Sequence, residues 1–158
     1  MKLRFNSLFP GILLFVVLAG ITPRMQAAQC SLGGTAGKYG FTLSGVVNLP
    51  TGAVPIAAVG QARLDSAGNV SGIEARTVGG GYADETFTGT FTVNADCTGA
   101  TTLQFFESGQ LVRTSILSII FDDNEREIRM VQKSLQLPNG AFLPVVITVQ
   151  ARKTFTDD

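Results

Sequence analysis

The sequence predicts an all-β protein: a single antiparallel up-and-down β-barrel of about eight strands, with a two-sheet β-sandwich as the alternative. Three observations carry this. Phe87, Gly89, Phe91 and Val93 alternate with Thr86, Thr88, Thr90 and Thr92. Because successive side chains on a strand face opposite sides, that run is a half-buried strand with an apolar inner face and a threonine-coated outer one. Clusters of Gly, Asn, Asp, Pro and Ser break the chain at regular intervals, as turns between short strands do. No helical periodicity interrupts them after residue 28.

The N-terminus is a separate matter. Lys2 and Arg4 precede a nearly pure apolar run over residues 8–21, and a polar stretch then ends in Ala27 and Ala28. This is the layout of a secretory signal peptide, with an apolar core short for a membrane span; an uncleaved anchor is the alternative. Residues 1–28 are therefore assigned as signal peptide and 29–158 as one β-barrel domain, exported to the periplasm or the medium. Without Lys2, Arg4 and Arg24, nine basic residues face twelve acidic ones, a net charge of about −3. A mildly acidic chain with no basic run argues against nucleic acid as a partner, and no second long apolar stretch provides a membrane span in the mature chain.

The strands follow in order. After a loop over residues 31–37, Tyr39, Phe41, Leu43 and Val47 mark the inner face of a first strand ending at Pro50-Thr51-Gly52. Ile56, Ala58, Ala62 and Leu64 mark a second, closed by the turn residues Asp65-Ser66-Ala67-Gly68-Asn69. Residues 70–78 form a third, followed by Gly79-Gly80-Gly81, read as a mobile loop. The Thr/Phe strand turns through Asn94-Ala95-Asp96-Cys97-Thr98-Gly99 into a partner over residues 100–107, and Ser108-Gly109 marks a hairpin. Residues 111–121 are apolar on both faces (Leu117, Ile119 and Phe121 against Val112, Ile116 and Ile120), which predicts a strand covered on both sides. A turn at Asp122-Asp123-Asn124-Glu125, a strand over 127–137, a tight turn at Pro138-Asn139-Gly140 and a final strand over 142–154 complete the set. Sequential hairpins favour a meander, and eight strands are enough for a meander to close and abolish its edges. Gly45, Gly60, Gly72 and Gly89 lie within strands, where sharp bends of a small barrel explain them.

The two cysteines, Cys30 and Cys97, both lie in the exported part. In an oxidising compartment a pair with no third cysteine most simply forms one disulfide. A lipid-modified Cys30 is the competing reading, and Gln29 before it departs from the small residue of such a signal.

Cys30, the segment Gly37-Lys38-Tyr39-Gly40-Phe41-Thr42-Leu43-Ser44-Gly45, the turn Asp65-Ser66-Ala67-Gly68-Asn69 and the run from Thr88 to Gly99 together resemble a family of small exported bacterial all-β proteins of unknown function. The resemblance implies export, a single β domain and paired cysteines, and carries over no catalytic residue. In architecture alone the barrel is similar to lipocalins and to allene-oxide-cyclase-like barrels, and fold does not imply function.

Chemistry is sparse. There is no histidine, which removes the usual neutral-pH base and the commonest metal ligand, and there is no tryptophan. Asp122, Asp123, Glu125 and Glu127 read as a solvated turn beside Arg126 and Arg129, so no metal site, cofactor or catalytic residue is assigned. Glu74 and Arg76 share a strand face with Val70, Gly72 and Val78. Either that face points inward and a charged pair lies inside the barrel, or the strand turns Ile73 and Ala75 inward and the pair is solvated, the simpler expectation. In the first case Glu74 and Arg76, with Tyr39 and Gln104 or Gln132, would hold the polar end of a ligand. Three functions follow as expectations: a binding protein for a small apolar or amphipathic molecule; a non-catalytic structural or interaction module of the envelope or secreted fraction; and a cyclase- or isomerase-like barrel. The oligomeric state is left open.

Overall fold

The computed structural model describes residues 29–154, so the proposed signal peptide at 1–28 lies outside the described residues. Eight long strands, β1 (Gly37–Leu49), β2 (Gly52–Leu64), β3 (Asn69–Val78), β4 (Gly81–Val93), β5 (Thr98–Glu107), β6 (Gln110–Asp122), β7 (Glu127–Gln136) and β9 (Val145–Lys153), form one antiparallel sheet. From β1 to β7 each strand pairs with the next, and β9 pairs with both β7 and β1, so the sheet closes on itself. This is the expected barrel, and the sandwich is excluded.

Four local differences from the sequence reading have physical causes. The last strand is broken: β8 (Phe142–Leu143) pairs with β7, and β9 begins after Pro144, whose missing N–H cannot serve a ladder. Gly79 and Gly80 both take positive φ (56° and 89°) and make a tight two-residue hairpin between Val78 and Gly81, not a mobile loop. The segment after Cys30 contains one helical turn, α1 (Leu32–Thr35), capped by Ser31 Oγ accepting from the Gly34 N–H at 3.0 Å. Finally, β6 is covered on one side only: Ile116 and Ile120 are exposed on the outer wall, close to Val131 of β7.

The inner face holds the core. Tyr39, Phe87, Phe91, Phe105 and Phe121 anchor one buried cluster, and Leu43, Val47, Ile56, Leu117 and Ile147 a second. Each such side chain contributes about 1.5–3 kcal/mol through removal from water. Phe87 meets Phe41 edge-on at 5.9 Å between ring centroids and Phe105 at 5.4 Å. These rings account for two of the strand glycines. A Cβ on Gly60 would strike the Phe41 ring, and one on Gly72 the Phe87 ring, besides neighbouring-strand backbone in both cases.

The two ends differ. At one end lie the 65–68, 94–97 and 123–126 turns with α1, tied by the Cys30–Cys97 disulfide across a sequence separation of 67. There Ser31 N donates to Glu125 Oε1 at 2.6 Å, and the fully buried Tyr39 hydroxyl lies 2.7 Å from Thr35 O and 3.0 Å from Glu125 O. This end is stoppered. The opposite end carries the turns at 50–51, 79–80 and 108–109.

Candidate functional site

The register of β3 against its neighbours decides the question the sequence left open. Gly72 sits opposite Ala62 on β2 and Phe87 on β4, both inner-face residues. Glu74, two positions on, must therefore point inward, and it is 3 % exposed, whereas Ile73 is 58 % exposed on the outside. The solvated expectation for Glu74 is overturned, because the partners' large inner residues set the parity.

Two further charged residues meet it. Glu85 extends the inner face of β4 back from Phe87 and stands directly opposite Glu74. Arg113 points inward from β6 and lies between the carboxylates: its Nη2 donates to Glu74 Oε1 at 2.6 Å, and its Nη1 donates to Glu85 Oε2. Arg76 donates to Glu85 Oε1 from Nε at 2.9 Å and from Nη2 at 2.6 Å. The Phe105 ring underlies the Arg113 guanidinium, 3.8 Å from its centroid, a cation–π contact that favours the buried charge. With all four ionised, the tetrad sums to zero charge.

The two carboxylates titrate in opposite directions. Burial is the largest influence on both. On Glu74, which has only Arg113 against it, burial wins, with help from the facing Glu85 carboxylate, and raises the carboxyl to about 7. On Glu85 the hydrogen bonds and charges of Arg76 and Arg113 outweigh burial and hold it below the usual carboxylate value.

Of the other expected site residues, Gln132 lies inside, its Nε2 donating to Ser115 Oγ and to Ser134 O, both at 3.0 Å. Gln104 does not join them. It is exposed on the outer face of β5, since Phe105 takes the inward position and the alternation sends its neighbour out. Tyr39 belongs to the stoppered end, where burial and then the Glu125 carboxylate push its phenol up to about 12. Glu85, Arg113 and Ser115 went unrecognised in the sequence; each shares parity with an inner aromatic or aliphatic residue of its own strand.

The barrel interior holds a cavity of about 70 Å³ whose lining runs from Tyr39 of the stopper to Glu74 and Arg113 of the tetrad. Its walls are apolar, among them Phe41, Phe87, Leu103, Leu117 and Met130, with Glu74, Arg113, Ser115, Gln132 and Thr101 as the polar contributors. No buried side-chain nitrogen or oxygen among the described residues lacks a hydrogen-bond partner. The acidic turn behaves as a solvated surface: Arg129 pairs with Asp122 at 3.2 Å and with Glu127 at 3.1 Å. Among the described residues no group of three or more His, Cys, Asp or Glu is arranged to hold a metal ion, and no helix is long and apolar enough to cross a membrane. Compared with protein-family models and with curated proteins, the chain matches none.

Proposed function

We propose that this is an exported binding protein whose barrel interior takes up a small apolar or amphipathic molecule. The observation that carries the reading is the internal cavity, apolar along its length and bounded by a buried, charge-balanced group of side chains. A barrel evolved only as a rod of packed side chains has no need of a buried tetrad, whose desolvation cost is large. The cavity is small beside the ~300–1,000 Å³ typical of drug-sized ligands, so the ligand is compact. The disulfide is compatible with an oxidising, exported setting, as is the resemblance to small exported bacterial proteins. A mainly apolar inner face, with threonines along the outer face of β4, is the reverse of a membrane barrel's pattern, which supports an aqueous location. Native mass spectrometry of protein isolated from its own host tests the reading. A bound small molecule released on denaturation is expected; a bare polypeptide mass that stays bare after soaking with small apolar probes refutes it.

A second reading has its own observation. Ile116, Ile120 and Val131 form an exposed apolar strip on the outer wall of β6 and β7, as an interaction module would carry. Light scattering across a concentration series separates it: a monomer at every concentration removes self-association as its basis.

A further inference from the structure

The polar boundary of the cavity restricts the kind of ligand that fits, and this inference rests on the binding reading above. Both terminal nitrogens of Arg113 are already engaged, by Glu74 and by Glu85, and Arg76 is spent on Glu85. An anionic ligand that reached the remaining Arg113 N–H groups would lie beside Glu74 and Glu85, both already bonded to that guanidinium. A cationic ligand would have to displace the guanidinium from between two carboxylates. Either brings an uncompensated charge into an apolar chamber, where unpaired charges are strongly disfavoured.

The neutral polar groups are arranged differently. Ser115, 2 % exposed, accepts a hydrogen bond from Gln132 Nε2 at 3.0 Å, and a hydroxyl that accepts one bond keeps its own proton to donate. Gln132 is fixed in turn by its second donation, to Ser134 O at 3.0 Å. Ser115 therefore stands on the cavity wall as a positioned donor in otherwise apolar surroundings. Thr101, a second hydroxyl there, sends its proton to Thr90 O at 2.9 Å and offers only an acceptor, and the Tyr39 hydroxyl is committed to Thr35 O and Glu125 O.

We infer that the cavity selects an uncharged, compact, apolar molecule bearing one hydrogen-bond-accepting oxygen (a ketone, lactone, ester or ether), with that oxygen on the Ser115 hydroxyl. Carboxylates and amines of similar size are disfavoured, because while Glu74 is ionised the tetrad balances its own charges and leaves none over to neutralise theirs.

The experiment is an NMR titration of the folded, oxidised protein at pH 8, where Glu74 is ionised, with four probes small enough for the cavity: propane, acetone, ethylammonium and acetate. Interior resonances of Phe87, Phe105 and Leu117 report entry. Acetone is expected to bind tightest, at roughly 3–10-fold lower Kd than propane, the worth of one hydrogen bond. Ser115→Ala is expected to erase that advantage, bringing the ratio of ketone to hydrocarbon Kd measured in the same variant close to one. Tighter binding of the carboxylate or the ammonium overturns the inference and leaves the binding reading standing. Equal binding of ketone and hydrocarbon to the wild-type protein overturns the role of Ser115. Failure of all four to shift interior resonances overturns the binding reading, and the inference with it.

Discussion

Glu74 and Glu85 are directly opposed across the β3–β4 ladder, two carboxylates buried side by side inside an otherwise apolar barrel. Like charges opposed on adjacent strands are destabilising, so the pair persists only through what separates it. That separator is Arg113, reaching from β6 to bond both. The tetrad ties three strands that are not all sequential neighbours, and it forms only when β6 has been brought round to face β3 and β4 across the interior.

Removing that separator is expected to be costly. Arg113→Met leaves Glu74 without its guanidinium partner and Glu85 with Arg76 alone, and breaking a buried ion network from one side typically costs about 3–5 kcal/mol. Urea unfolding measures it. The combined change Glu74→Leu, Arg76→Met, Glu85→Met, Arg113→Leu removes the four charges together and should recover most of that loss. If the single variant unfolds at the wild-type midpoint, the tetrad holds nothing together.

The opposite titration of the two carboxylates predicts a stability maximum on the acid side of neutrality. Glu74 is raised from 4.5 to about 7 by burial, so the folded state holds its proton more tightly than the unfolded chain. Stability from this group therefore declines as pH rises from about 4.5 to about 7. Glu85 is held below 4.5, so its contribution is complete above that value and is lost as pH falls. Urea midpoints across pH 3–8 should peak at about pH 5. In Glu74→Gln the decline toward neutrality should vanish and the acid limb remain; an unchanged neutral limb would assign it elsewhere.

Some of this was legible in the sequence and some was not, for a definite reason. Alternation is a local signal, so strands with one apolar parity, such as β2 with Ile56, Ala58, Ala62 and Leu64, could be oriented by inspection. In β3 the apolar Ile73 competes with Val70 for the inner face, and hydrophobicity alone favours burying Ile73 over Glu74. Only the register against Ala62 and Phe87, a non-local fact, reverses that choice. β6 misled in the same way: being apolar on both faces, it concealed that Arg113 and Ser115 share parity with Leu117 and Ile119. Glu74 and Arg76 could be singled out only as one of two alternatives, and Glu85 and Arg113 looked like surface residues until the barrel closed around them.

The stoppered end is predicted to depend on its disulfide. In the chain-entropy account, a crosslink over 67 residues contributes about 4 kcal/mol. Cys97→Ser should remove about 2–5 kcal/mol and free α1, exposing the amides of Gly34 and Thr35 to hydrogen exchange. Tyr39→Phe keeps the ring and deletes only the hydroxyl at Thr35 O and Glu125 O, a loss of about 1–2 kcal/mol. Because burial pushes the Tyr39 phenol up to about 12 from 10, the folded state retains that proton and stability falls as pH rises through this range. Alkaline unfolding should therefore be blunted in Tyr39→Phe. If that variant unfolds at the wild-type alkaline pH, the limb belongs to another group.

The glycines offer a test that separates packing from backbone freedom. Gly72 has ordinary strand geometry, yet an added Cβ would run into the Phe87 ring and the Gln61 carbonyl. Phe87 is 3 % exposed and packed against Phe41 and Phe105, so any retreat disturbs those ring contacts. Gly72→Ala should thus cost about 1–3 kcal/mol by overpacking, although alanine tolerates the backbone conformation. Gly33 in α1 is the counterpart: it is exposed, and a Cβ there meets nothing within 4 Å. Gly33→Ala should stabilise by about 0.4–1 kcal/mol, through fewer unfolded conformations and better helix propensity. If strand glycines served only to let the chain bend, Gly72→Ala combined with Phe87→Leu would be worse than either change alone. If the ring is the obstacle, the smaller, more adaptable leucine makes room. The double variant then loses less than the sum of the two single losses, a coupling that a double-mutant cycle in urea reads directly.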